Sequence, residues 1–210
     1  MKQNEDSSQT QKLRIQIQNM ERGSIFLSDV FEFVDKSVLR VVLSRFTTEG
    51  LIERLGPGIY LYPRYSELLR KNVTPSIDEI AHAIALKEKT RIAPSGSYAM
   101  YKLGLSTQVP TIAVFLTDGS PREITLNDNR TIVFKSTTAK NLAFTNTCMQ
   151  LLVSSLKKIG KHNISSDHLS RIRDILAKLH EDDFRANVKL APEWIQKLLV
   201  QNKEEMHAAL

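Results

Sequence analysis

The 210-residue chain has one cysteine, one tryptophan, eight glycines and seven prolines. With Cys148 alone no intrachain disulfide can form, so the fold must rest on packed apolar cores, and a reducing compartment is expected. No apolar run approaches the roughly 18 residues that a bilayer-spanning helix needs. The opening "MKQNEDSSQTQK" lacks the apolar stretch that directs secretion. No internal repeat or low-complexity segment is present. His82, His162, His168, His180 and His207 follow no metal-ligand spacing, and Cys148 falls in an apolar helical stretch. The expectation is a cytoplasmic protein with no metal, no cofactor and no membrane association.

The apolar and charged fractions, 41% and 25%, are those of an ordinary globular chain, long enough for two small domains. Formal net charge is +6, and its position says more than its total. From residue 36 to 71 there are seven bases (Lys36, Arg40, Arg45, Arg54, Arg64, Arg70, Lys71) against three acids (Glu49, Glu53, Glu67), a local excess of four. From Asn141 onward the charges nearly balance.

That basic stretch also changes its period. The apolar residues Leu39, Val42, Leu43 and Phe46 recur three and four apart, as on one face of a helix. Asp35 is a natural N-cap for that helix and Gly50 a natural stop. After Gly50 the spacing shortens to two β-rich runs, "LIERL" and "IYLY", joined by Gly56-Pro57-Gly58. Upstream, Ser8 is the expected cap of a first helix reaching about Arg22 with Leu13, Ile17 and Met20 inward. Residues 24–26 read as a short extended piece. Ser28 is the expected cap of a second helix burying Val30, Phe31 and Val34. Helix, strand, helix, turn, helix and hairpin is the order of a winged helix-turn-helix.

Residues 63–75 read as a connecting helix or linker. Beyond them, Ser76 caps a helix with Ile77, Ile80, Ala81, Ile84 and Ala85 on one face. A strand, a short helix ending at Gly104 and three further strands follow, with Asp118-Gly119 as a hairpin signal. Helices are expected from about Asn146 to Ile159, Ser166 to Leu179 and Pro192 to Gln201. The fold class is therefore α+β, with a winged helix-turn-helix over residues 8–66 and an α+β domain with a helical C-terminus over 67–210.

In that arrangement the face opposite the apolar stripe carries the candidate DNA contacts. Arg40 and Arg45 suit guanine O6/N7, Ser37 and Ser44 a base edge or phosphate, and Val41 a thymine methyl. Lys36, Arg54 and Arg64 suit phosphates. Tyr60, Tyr62 and Tyr65 alternate in the wing, where packing on the helices accounts for them better than a stacking platform does. No catalytic constellation is found. "APSGSYAMYK" puts Ser95, Gly96 and Ser97 before a short helix, an arrangement able to meet an anion, yet it is neither a P-loop nor G-x-S-x-G. A capping serine with a close-packing glycine explains it more simply. Asp118 reads as a turn residue, and "HEDDF", with Asp182 and Asp183, as a solvated connection.

The stretches "LSRFTTEGLIERLGPGIYLYP", "IAHAIALKEKTRIAPSGSYAMYKLGLSTQVPTIAVFLTDGSPREI" and "APEWI" resemble the AbiEi-like antitoxins of type IV toxin–antitoxin (abortive infection) systems, including a branch known only as a domain of unknown function. The resemblance spans about Lys12 to Leu199. It implies a winged helix that binds inverted repeats in double-stranded DNA at its own promoter, and a second domain that opposes a nucleotidyltransferase-like toxin without a stable complex. It places DNA contacts on the outward face of Lys36 to Arg45 and on the wing near Arg54. Pro57 stands where many relatives carry a base, which shifts the wing's phosphate contacts onto Arg54 and Arg64. The function expected is an antitoxin and transcriptional autorepressor, not an enzyme, with two protomers on paired half-sites. A stand-alone regulator, a direct toxin-binding module and a nucleic-acid-processing enzyme are the alternatives.

Overall fold

The structure is a computed structural model that describes residues 2–208, with side chains over 8–205, so the side chain of His207 lies outside the described residues. The chain is α+β and forms two compact units. The first runs to Lys89 and takes in Ile124–Arg130; the second comprises Thr90–Glu123 and the chain from Thr131 on.

In the first unit, α1 (Lys2–Gln18) begins before Ser8, which therefore lies inside the helix instead of capping it, and stops short of Arg22. Its Leu13 and Ile17 are fully buried. Arg14 lies over the Phe46 ring at 4.6 Å and pairs with Glu49 at 2.5 Å. After β1 (Ile25–Leu27) the expected second helix is absent. Ser28–Val30 make a single 3-10 turn, which leaves Phe31 and Val34 buried but Val30 exposed. Sheet pairing explains this: the Ser28 amide donates to the Gly58 carbonyl, holding the chain extended, and the few residues left before Asp35 cannot offset helix nucleation.

The helix α2 (Lys36–Thr48) forms where its period places it, with Asp35 as N-cap and Leu39, Val42, Leu43 and Phe46 buried. Strands β2 (Glu53–Gly56) and β3 (Ile59–Leu61) follow, and the antiparallel sheet has the order β1-β3-β2. Phe26 and Tyr60, cross-strand partners, stack with ring centroids 5.8 Å apart. Gly58 turns the hairpin at φ +72°, a conformation that favours glycine.

Residues expected to form a linker or connecting helix instead pair as a second hairpin, β4 (Tyr65–Ser66) and β5 (Lys71–Asn72). The Ser66 hydroxyl accepts from the Leu69 amide within the turn, and Asn72 donates to Glu53 of β2 at 2.5 Å. Helix α3 (Ile77–Glu88) has the anticipated Ser76 cap, completed by Glu79 into a capping box. It packs on β1, and Lys87 pairs with Asp29. Through those contacts the first unit runs to Lys89, beyond the boundary expected at residue 66.

The second unit contains β6 (Ile92–Ser95), α4 (Gly96–Lys102), β7 (Ile112–Thr117), β8 (Arg122–Thr125) and β9 (Thr131–Ser136) in the sheet order β6-β7-β9-β8. β6 runs antiparallel to β7, and β7 parallel to β9 with Phe115 opposite Phe134. Asp118-Gly119 therefore joins strands that are not neighbours, against the hairpin expected there. The Asp118 carboxylate instead accepts from the Arg91 amide at 2.7 Å and the Arg91 Nε at 2.8 Å. A Cβ on Gly119 would lie 2.6 Å from Thr90 Cγ2, so any larger residue there would force Thr90 to move.

Four helices complete this unit: α5 (Thr147–Ile159), α6 (Ser166–Ala177), α7 (Glu181–Val188) and α8 (Glu193–Ala208). The short α7 replaces the solvated connection expected at "HEDDF", and its three acids occupy the first turn, where they complement the helix dipole. The helices bury Met149, Leu152, Leu156, Ile172, Leu176 and Ile195 in one cluster. Asn187, fully buried, joins α7 to the start of α5. Its Oδ1 accepts from the Thr145 amide at 2.8 Å, and its Nδ2 donates to Thr145 Oγ1 at 3.0 Å and the Asp183 carbonyl at 2.8 Å.

Asn187→Ala leaves buried partners unmet and should cost about 3 kcal/mol. It is read as an earlier urea transition in the fluorescence of Trp194, the single tryptophan, which packs on this core. In the first unit, Leu43→Ala should cost about 3 kcal/mol through its cavity. The corresponding measurement is faster exchange of the α2 amides.

Candidate functional site

Because α2 buries a stripe three and four residues apart, the middle of its opposite face is fixed by the helical period. Ser37, Val41, Ser44 and Thr48 run down that middle, and all four are exposed, Val41 to 62%. Arg40 and Arg45, also exposed, are five residues apart and thus about 140° around the axis. They flank the central strip on opposite sides.

The surroundings of the two arginines differ. Lys36, Arg40, Ser44 and Thr48 line a groove of about 780 Å³ whose other wall is the β2–β3 hairpin, including Arg54, Pro57 and Gly58. Ser37, Val41 and Arg45 border a shallower depression of about 290 Å³ with Thr10 of α1. Of the sequence-predicted residues, the structure brings Lys36, Arg40, Ser44 and Arg54 onto one concave surface. Ser37, Val41 and Arg45 lie on the adjoining flank of the same helix. Arg64 is not brought there: its side chain lies by Gly23, and its charge is felt by Glu79.

Ser37 is also less available than its exposure suggests. Its hydroxyl donates to the Asp35 carboxylate, and its amide donates to the same Oδ1 at 2.8 Å. These bonds, the side-chain one foremost, hold the Asp35 carboxyl below the ordinary aspartate range. The pair fixes the first turn of α2 and so the bearing of Lys36 and Arg40. Arg54 is held more loosely, with Nε donating to the Gly56 carbonyl at 3.4 Å.

Sequence reasoning missed two features. Ser28 and Asp29, expected as the cap and first turn of a helix, form part of the groove's rim, with Asp29 paired to Lys87. The β4–β5 hairpin exposes Leu68 (92%), Leu69 and Tyr65 beside Arg70 and Lys71. The signal for it, two prolines bracketing a run with Ser66, was readable as a turn. Tyr60 and Tyr62, by contrast, are buried as expected and offer no stacking face.

In the second unit Asp182 and Asp183 lie on α7, where Asp183 accepts from Asn146 at 3.1 Å, and Asp118 is paired with Arg91 at 2.8 Å. His168 takes part in the α6 capping box, and burial pushes the Cys148 thiol up, away from reactivity. Among the described residues no cluster of three or more His, Cys, Asp or Glu side chains is arranged to hold a metal ion.

The Asp35 cap has a pH signature. Its folded pKa lies below the unfolded value of about 3.9, so the stability it gives is complete above that value. It is lost as pH falls through the lower folded value. Exchange of the Ser37 amide should rise over that window, whereas Asp35→Ala should exchange fast at every pH, as read by NMR.

No curated protein matches the chain. Residues 12–184, most of its length, match a family of unknown function (DUF6088). The chain therefore belongs to DUF6088.

Proposed function

We propose that the chain is a cytoplasmic, sequence-specific DNA-binding protein that represses its own promoter. In this reading α2 is the recognition helix of a winged helix-turn-helix and the β2–β3 hairpin is its wing. The observation that carries it is the single concave surface on which Lys36, Arg40 and Arg54 converge. The one carboxylate on its rim, Asp29, is engaged by Lys87. Such a surface favours a polyanion, and the narrow middle of α2 suits entry to a major groove about 12 Å wide.

The roles follow from position. Val41, apolar yet exposed at the middle of the face, suits a thymine methyl, and Ser44 a base edge. Arg40, on the wing side, reads guanine. Arg45, turned toward α1, reaches the opposite groove wall or its phosphates. Lys36 and Arg54 neutralise backbone phosphates. The 3-10 turn at Ser28–Val30 makes this an abbreviated helix-turn-helix, in which the turn and the buried Phe31 take the place of the supporting helix. Two protomers on inverted half-sites would supply the operator affinity that one small module lacks.

The resemblance to AbiEi-like antitoxins extends the proposal. On that basis the second unit opposes a nucleotidyltransferase-like toxin and has no catalytic role of its own.

The test is binding of the purified chain to the DNA just upstream of its gene, against scrambled DNA, at two salt concentrations. Arg40→Ala should cost roughly 1–3 kcal/mol and relax specificity, and Arg54→Ala should weaken all sequences alike and flatten the salt slope by about one. Arg64→Ala, away from the surface, should change little. Equal, salt-sensitive binding to both DNAs, unaltered by Arg40→Ala, would refute the recognition-helix reading.

A further inference from the structure

A cavity of about 310 Å³ in the second unit lies between the end of β6 and α5. Its wall carries two lysines, Lys157 and Lys158, and no carboxylate. Lys157 donates to Asn141 Oδ1 at 2.9 Å, and Asn141 in turn donates to Thr137 Oγ1 at 2.9 Å, so the amide is held with its oxygen toward the ammonium. An ammonium has three N–H donors, which leaves two on Lys157. The side chain of Ser154, nine-tenths buried, meets Ser95 hydroxyl to hydroxyl at 3.2 Å on the same wall.

The charge here is not balanced by the protein. Lys157 is exposed as a residue, yet desolvation of its ammonium by the cavity wall and, after it, the charge of nearby Lys140 press its pKa below the ordinary lysine range. Among the described residues none of Lys140, Lys157 and Lys158 has a carboxylate partner, as is also true of Lys135, Lys161, Lys178 and Lys189; Lys157 and Lys158 differ from these in lining a cavity. Like charges near one cavity wall without a counter-ion raise the free energy of the empty site, modestly at exposed positions such as these, and an anion that enters lowers it.

A second depression, about 560 Å³, shares Lys158 with the first. It also lacks a carboxylate, and its lining is apolar at Met100, Val109, Pro110 and Ile112. Val109 and Ile112 are 66% and 53% exposed there, large apolar side chains on an open wall. One end is cationic and hydrogen-bonding, the other is mixed, its apolar side chains standing beside Ser97, Ser106, Gln108 and Thr111, and the volumes fall in the range of small-ligand sites.

We propose that this bipartite cleft binds a phosphate monoester on a heterocycle, of nucleotide class. Its phosphate sits against Lys157 and Lys158, and its ring lies on the Met100–Ile112 surface. The expected capping serine and close-packing glycine are not found in "PSGSY": Ser95 makes no side-chain cap bond, and Gly96, at φ +60°, has open space where a Cβ would stand, so Ser95 is left to present its hydroxyl to this site from the end of β6. The site is independent of the DNA-binding proposal, and its failure would leave that reading untouched.

The experiment is calorimetric titration of the full chain at low ionic strength with the four ribonucleoside monophosphates, their nucleosides and a 5′-phosphorylated trinucleotide. At least one monophosphate should bind with Kd near or below about 1 mM, and its nucleoside at least tenfold more weakly. Lys157→Gln should lose about tenfold, and Lys161→Gln, outside the cleft, should lose nothing. In the wild-type chain the Lys157 pKa, followed by NMR of its side chain, should rise toward the ordinary lysine range when the ligand is bound. That readout does not depend on any variant folding. Binding of the trinucleotide as tight as the monophosphate assigns the ligand to a nucleic-acid end; weaker binding assigns it to a free nucleotide. Absence of saturable binding by every phosphorylated probe, equal binding of nucleosides, or an unmoved Lys157 pKa would overturn the proposal.

Discussion

The apolar seam of α2 is the constraint on which the first unit depends. Leu39, Val42, Leu43 and Phe46 pack with Leu13 and Ile17 of α1 and with Phe31 and Val34, the residues between β1 and α2. A helix anchored along one stripe has no rotational freedom left, so the outward positions follow from the 3.6-residue period. Arg14 reinforces the setting by covering the Phe46 ring and pairing with Glu49 just past the end of α2. Asp35 does the same at the other end through Ser37. The exposed strip of Ser37, Val41, Ser44 and Thr48, with an arginine on each flank, is thus a consequence of core packing.

The same logic explains why the basic residues of this stretch do not act together. Arg40 and Arg54 converge because the short turn at Gly56-Pro57-Gly58 folds β2 back against β3, and β3 pairs with β1 at the base of α2. Arg64 follows Pro63, past the end of β3, where the chain has left the hairpin and lies by Gly23. A charge count over residues 36–71 treats all seven bases alike; the fold divides them among a groove, a helix flank and a second hairpin.

The second unit places its charge differently. Its helical core is tied by a buried amide, Asn187, and several ions of its helices are paired within a helix or between helices. Among the described residues Lys157 and Lys158, at the end of α5, have no such partner and line a cavity. Two surfaces of one chain thus present cations without compensating acids, a broad groove in the first unit and a small cleft in the second. The partners we propose differ accordingly, a duplex for the groove and a single phosphate ester for the cleft.

Much of this was legible in the residues themselves. Helix α2 with its Asp35 cap, the Gly-Pro-Gly turn, the Ser76 cap with the inward face of α3, and the approximate spans of α5 and α6 were all readable. Each is set by local period or by a side chain bonding to the nearest amides. The reading failed where long-range pairing competed with local preference. Ser28 to Val34 has a helical pattern, but its first amide is claimed by Gly58, and a single turn remains. Asp118-Gly119 has the chemistry of a hairpin turn, yet β7 pairs with β9 in parallel, and Asp118 is taken up by Arg91 instead of closing a hairpin. By itself the sequence determined which residues are buried along each helix, and hence that Arg40, Val41, Ser44 and Arg45 face outward. Only the tertiary structure decided that Arg54 joins Arg40 while Arg64 does not, and that Ser95, Asn141 and Lys157 line one cavity. Those juxtapositions depend on strand order and on contacts between segments distant in the chain, which no local period encodes.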